Sequence, residues 1–173
     1  IYQFTEDNQP VEKIVGLHCL EELALVYVVK RDYANAVWAY QEIIEQFFNE
    51  NIYGIPAPYS AADEISVILR DQGNKFYAEP ERRAKQLLGG GNEDLRKLIL
   101  HYPLSSSFNA ALEKIAKEEK KPEIEKNLKA VQRYLSIYNF PKQETVPLYV
   151  LAQTFHKLSR HSIARLYYLR LLK

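Results

Sequence analysis

The chain has 173 residues, of which 47% are hydrophobic and 26% charged, which excludes a disordered segment. Its most apolar stretch, residues 14–29, carries Glu21 and Glu22, so nothing approaches the roughly 18 uninterrupted apolar residues of a membrane span. The net charge of +1 is unevenly spread, with twelve acids and four bases in residues 1–74 but ten acids and nineteen bases in residues 75–173.

Residues 1–10 read as an extended lead-in ending at Pro10. From residue 11 the apolar spacing becomes helical (Ile14, Val15, Cys19, Leu20, Leu23, Ala24, Tyr27) and runs to about Val29. Lys30, Arg31 and Asp32 form a brief turn, and a second helix follows over residues 33–48. Gly54, Pro56 and Pro58 break the regularity between Asn51 and Tyr59, leaving a loop. Ser60 is the expected N-cap of a helix to about Asp71, which Gly73 ends. Pro80 suits the first turn of a helix through Leu88, stopped by Gly89, Gly90 and Gly91. Asn92 is expected to cap residues 93–101. Ser105, Ser106 and Ser107 offer caps for a helix to about Lys120. Pro122 opens a helix to Tyr138, Pro141 closes the gap, and a last pair spans about 145–158 and 161–173. No strand alternation is present, so the class is all-α.

One pattern occurs twice. Leu20, Leu23, Ala24 and Tyr27, followed by Ala36 and Tyr40, recur as Leu148, Leu151, Ala152 and Phe155, followed by Ala164 and Tyr168. In both copies the alanines are twelve residues apart, as two short antiparallel helices require when their backbones meet closely. A looser copy places Leu112, Ile115 and Ala116 before Ala130, Tyr134 and Ile137, with a longer turn and Glu119 where the aromatic stands elsewhere.

These residues resemble the tetratricopeptide pattern of W-x2-L-G-x2-Y, A-x3-F and P. Leu20 takes the tryptophan place and Ala24 the small residue, while Phe48 stands where the closing proline is usual. The resemblance implies antiparallel helix pairs stacked as a short, irregular right-handed solenoid. Repeats would cover about 17–50, 109–140 and 145–173 of a single helical domain, with an irregular helical insert at about 51–104. The first helix of each repeat would line a groove for a partner protein or peptide. By position, its residues are His18, Glu21, Leu25 and Val28, then Glu113, Lys117, Lys120 and Lys121, then Tyr149, Gln153, His156 and Lys157. Glu21 and Leu25 depart from the lysine and asparagine clamp of the co-chaperone subgroup, so that clamp is not expected.

Signals for chemistry are weak. The single Cys19 excludes an internal disulfide and an all-cysteine metal site, and its apolar setting reads as a buried, inert thiol. His18 with Glu21 or Glu22 supplies too few metal ligands, and His156 and His161 lie across a turn, so the histidines read as surface residues. The triple glycine has no strand before it and no Gly-Lys-Ser/Thr after it. Glu118 and Glu119 read as solvated. The expectation is therefore a non-catalytic interaction or scaffold module with no cofactor and no metal.

The basic C-terminal half of the groove suits an acidic peptide segment. Self-association through the apolar last helix, or through the oppositely charged halves, is the other interaction anticipated. The alternative is a helical nucleic-acid (RNA) module using Arg82, Arg83, Lys85, the lysines of 114–129 and the acid-free tail, though many acids interleave with those lysines. The chain opens at Ile1 and contains no methionine, so a longer parent protein is expected and localisation stays open.

Overall fold

A computed structural model describes residues 9–52, 54–138, 140 and 144–172, with side chains from Lys13 onward. Of the extended lead-in expected over residues 1–10, residues 1–8 lie outside the described residues, as do Pro141 and Lys173, while Gln9 and Pro10 already belong to the first helix, where a proline in the first turn is tolerated. Nine α-helices account for most of the remainder, and the class is all-α. They fall into two compact units, Ile1–Tyr77 and Ala78–Lys173, whose boundary lies inside the segment without a clear repeat.

In the N-terminal unit α1 (Gln9–Val29) lies along α2 (Tyr33–Gln46), and α2 in turn lies along α3 (Ala57–Gln72). Ala24 and Ala36 are both fully buried, at 0% exposure, so the notch that brings α1 onto α2 is closed. Val37, Tyr40, Ile43 and Ile44 of α2 are also buried, as are Ala61, Ala62 and Ile65 of α3. The loop expected between Asn51 and Tyr59 contains a two-residue antiparallel ladder, β1 (Asn51–Ile52) with β2 (Ile55–Pro56). Gly54 stands between them at φ 82°, a left-handed conformation that costs glycine little. Helix α3 starts four residues earlier than Ser60 capping would have it. Pro58 is tolerated there because the first-turn N–H groups have no partner within the helix. A 3-10 turn, Asn74–Tyr77, follows Gly73.

In the C-terminal unit α4 (Ala78–Leu88), α5 (Asn92–His101), α6 (Phe108–Ala116), α7 (Lys121–Ile137), α8 (Thr145–Lys157) and α9 (His161–Leu171) follow in order. Helix α5 is packed by α4, α6 and α7, while α8 touches α6, α7 and α9. Leu98, Ile99, Leu112, Val131, Tyr134 and Leu151 form the centre, and the Tyr138 hydroxyl donates to the Leu100 carbonyl at 2.7 Å. The middle pair is splayed, with α7 lying against α5 and α8 more than along α6. Polar contacts hold its start: Arg96 Nη1 donates to Glu123 Oε2 at 2.8 Å and to Asn127 Oδ1 at 3.0 Å, and the Asn127 amide reaches the Ile115 carbonyl at 3.4 Å.

Helix α5 begins one residue before the place expected. Gly91 is the cap, and its N–H donates to the Asp94 carboxylate at 3.3 Å. The Asn92 side chain is thereby left to donate to Glu118. Glu118 is not merely solvated: it also accepts from the N–H groups of Glu119 and Lys120, both at 2.9 Å, which fits the end of α6 at Ala116 and not at Lys120. Cys19, expected to be buried, is exposed on α1.

The two well-matched hairpins share one turn. Arg31 has φ 60° and Ser159 φ 57°. In each hairpin the next N–H returns to a carbonyl five residues back, Asp32 to Tyr27 and Arg160 to Phe155, both at 2.9 Å. This is the left-handed closure by which helices satisfy their last carbonyls. Helix ends, turn and helix starts all correspond at an offset of 128 residues, from Val29 with Lys157 to Tyr33 with His161. Ala152 and Ala164 close the second notch at 0% and 2% exposure.

Candidate functional site

Helices α6, α8 and α9 of the C-terminal unit border an open groove of about 850 Å³. Six of the expected positions open onto it: Glu113 and Lys117 from α6 and its C-cap, and Tyr149, Gln153, His156 and Lys157 from α8. The four on α8 recur at intervals of three to four residues or are adjacent, so one helix face presents them together. Lys120 and Lys121 are exposed where α7 begins and do not line the groove. His18, Glu21 and Leu25 belong to the N-terminal unit, where His18 Nδ1 lies 3.3 Å from Glu21 Oε2. Val28, the neighbouring expected position, is half-buried.

The sequence reading missed Ala116, Glu119, Val146, Val150 and Tyr168 among the lining residues. Tyr168, the counterpart of Tyr40 in the repeated pattern, is 37% exposed and meets Tyr149 edge-on with centroids 6.4 Å apart.

The groove's polar groups differ in freedom. Lys157 Nζ donates to the carbonyls of Ala116 at 2.6 Å and Glu118 at 2.9 Å. It thus satisfies carbonyls at the end of α6, where the helix dipole favours a cation. One of its three protons remains for a ligand. Lys117 makes no ion pair among the described residues, which leaves its ammonium available. Gln153 donates its amide to the Tyr149 hydroxyl at 2.8 Å, orienting that ring. His156 and His161, expected to be unrelated surface residues, meet with Nδ1 atoms 3.3 Å apart and centroids 4.8 Å apart. An N–H of one ring then points at the lone pair of the other. Glu113 and Glu119 add two carboxylates to the two lysines of the lining, which is therefore close to neutral and also includes Val146, Val150 and the two tyrosines.

In the N-terminal unit Glu21 and Leu25 border a much smaller cavity of about 60 Å³ with Tyr40, Ser60 and Glu64. Burial, then the charges of Glu64 and Glu21, push the Tyr40 phenol up to about 12. Burial, and then Asp63, raise the Glu64 carboxyl. Among the described residues no three histidine, cysteine or acidic side chains gather as a metal site would require. No helix among them is long and apolar enough to cross a membrane.

The chain matches no protein-family model, no curated protein and no solved structure.

Proposed function

We propose that the chain is a non-catalytic, tetratricopeptide-like interaction module, built from stacked helix pairs of an irregular right-handed solenoid, that holds a partner's peptide segment in the groove of α6, α8 and α9. The observation that carries this reading is the convergence of Glu113, Lys117, Tyr149, Gln153, His156 and Lys157 on one groove. The shared left-handed turn and buried alanines of the two hairpins support the repeat character. A suitable segment lays an apolar side chain against the Tyr149 and Tyr168 pair and places an acid at Lys117, with Gln153 and the last Lys157 proton available to its backbone.

The nucleic-acid alternative draws on the basic C-terminal unit, but Glu113 and Glu119 would oppose a phosphate backbone in this groove. A phage-displayed pool of acid-and-aromatic dodecamer peptides tests the proposal. Peptides should enrich on the wild-type chain and lose at least about tenfold in affinity on Tyr149→Ala and Lys117→Glu. Enrichment that is indifferent to both substitutions overturns it. So does a finding that only RNA binds, with an affinity falling steeply as salt rises.

A further inference from the structure

The offset of 128 residues makes α9 the counterpart of α2, and the two helices have different fates. In α2 the side chains of Val37, Tyr40, Gln41 and Ile44 are at most 3% exposed, on a helix that α3 covers. Their counterparts on α9 are Arg165, Tyr168, Leu169 and Leu172, and these line an open depression of about 290 Å³. Leu169 is 47% and Leu172 82% exposed. The seat that α3 fills on α2 is thus bare on α9. One substitution changes its chemistry: an arginine, Arg165, stands where α2 has Val37. A helix laid into this seat must therefore bring an acid opposite Arg165, next to the apolar surface of Tyr168, Leu169 and Leu172.

Among the described residues, α1 presents such a face. On α1 the residues Ile14, Val15, Leu25, Val26 and Val29 are 45–84% exposed and recur on a single arc of the helix. The exposed Glu22 lies within that arc, midway along it. The stripe runs fifteen residues from Ile14 to Val29, about 23 Å at the α-helical rise, enough to cover α9 from end to end. Charge favours the same meeting, because the N-terminal unit holds twelve acids against five bases and the C-terminal unit ten against eighteen.

We propose that the occupant of the α9 seat is α1 of a second copy of this chain, packed as α3 packs on α2, with Glu22 against Arg165. The two faces differ, so the contact is head-to-tail and leaves one free face at each end of a growing assembly. It does not depend on the peptide-groove reading.

Sedimentation velocity and light scattering on the intact chain test this. The wild type should self-associate as its concentration rises toward about 1 mM, and less so at high salt. Val26→Lys on α1 and Leu169→Glu on α9 should each weaken association at least about tenfold while circular dichroism stays native. Mixing the two variants is the decisive step. Each keeps one intact face, so the mixture should form a one-to-one dimer and stop there. Glu22→Arg and Arg165→Glu should each weaken the wild-type contact, and combining both in one chain should restore it. A monomer at every concentration overturns the proposal. So does self-association that survives Val26→Lys, which would mean that α9 meets α9. The substitutions Tyr149→Ala and Lys117→Glu should leave assembly intact, so failure of the groove reading and failure of this one are separable.

Discussion

Arg31 and Ser159 hold φ at 60° and 57°, and replacing each with glycine is expected to stabilise the protein. A left-handed conformation costs an L-residue about 1–2 kcal/mol, because its Cβ crowds the following carbonyl. Glycine escapes that cost but loses about 0.5–1 kcal/mol through its greater freedom in the unfolded chain. The net gain is about 0.5–1 kcal/mol per site. The sites lie in different units, so the gains should add to about 1–2 kcal/mol. For a chain of this length that corresponds to a rise of about 2–8 °C in Tm. Urea and thermal unfolding followed by far-ultraviolet circular dichroism provide the assay. Lys129→Gly, at an exposed position in the middle of α7, is the control and should lose about 1 kcal/mol. If Arg31→Gly and Ser159→Gly lose stability as the control does, the turns are not left-handed. The equivalence of the two hairpins then falls with them.

Three further outcomes follow from the same structure. Ala24→Leu and Ala152→Leu, at notches with 0% exposure, should each destabilise by about 1–3 kcal/mol in urea melts, and an unchanged midpoint would mean the helices do not meet there. Hydrogen bonds from Arg82 and Arg83 hold the Glu79 carboxyl down to about 2, those from the Lys120 N–H and the Asn92 side chain lower the Glu118 carboxyl, and those from Lys126 and Arg96 lower the Glu123 carboxyl. Stability from these depressed carboxylates is complete above pH 4.5 and is lost as pH falls toward 2, so urea midpoints should drop over that window, less so for Glu79→Gln. The Tyr40 phenol, raised from 10.0 to about 12, contributes stability below pH 10 that is lost as pH climbs through 12. Phenolate absorbance should therefore show a late phase that coincides with unfolding, and Tyr40→Phe should shrink it.

The helices were legible because their causes are local. The 3.6-residue spacing on α2 and α7, and the triple glycine after Leu88, mark their elements within one or two turns of chain. The alanine spacing gave the two hairpins, and the second of them carries four of the groove positions, while Glu113 and Lys117 came from the looser copy. What escaped was set by residues far away in sequence. Helix α6 ends at Ala116 with its last carbonyls bonded by Lys157, some forty residues on, and with Glu118 holding the following N–H groups. Gly91 takes the cap, and the Asn92 side chain reaches instead to Glu118, just beyond the end of α6. Cys19 was misjudged because α1 is apolar on two sides, and composition alone cannot say which side meets α2. Tyr168 escaped as a groove residue because its local match to Tyr40 does not say that α8 sets Tyr149 beside it.

The exposure of Cys19 has a practical result. With one thiol in the chain, and that thiol on the outward side of α1, a maleimide dye attaches at a single known place without any engineered cysteine. Its emission would report whether neighbouring matter shields that side of the molecule, and a bulky enough label would itself obstruct such shielding.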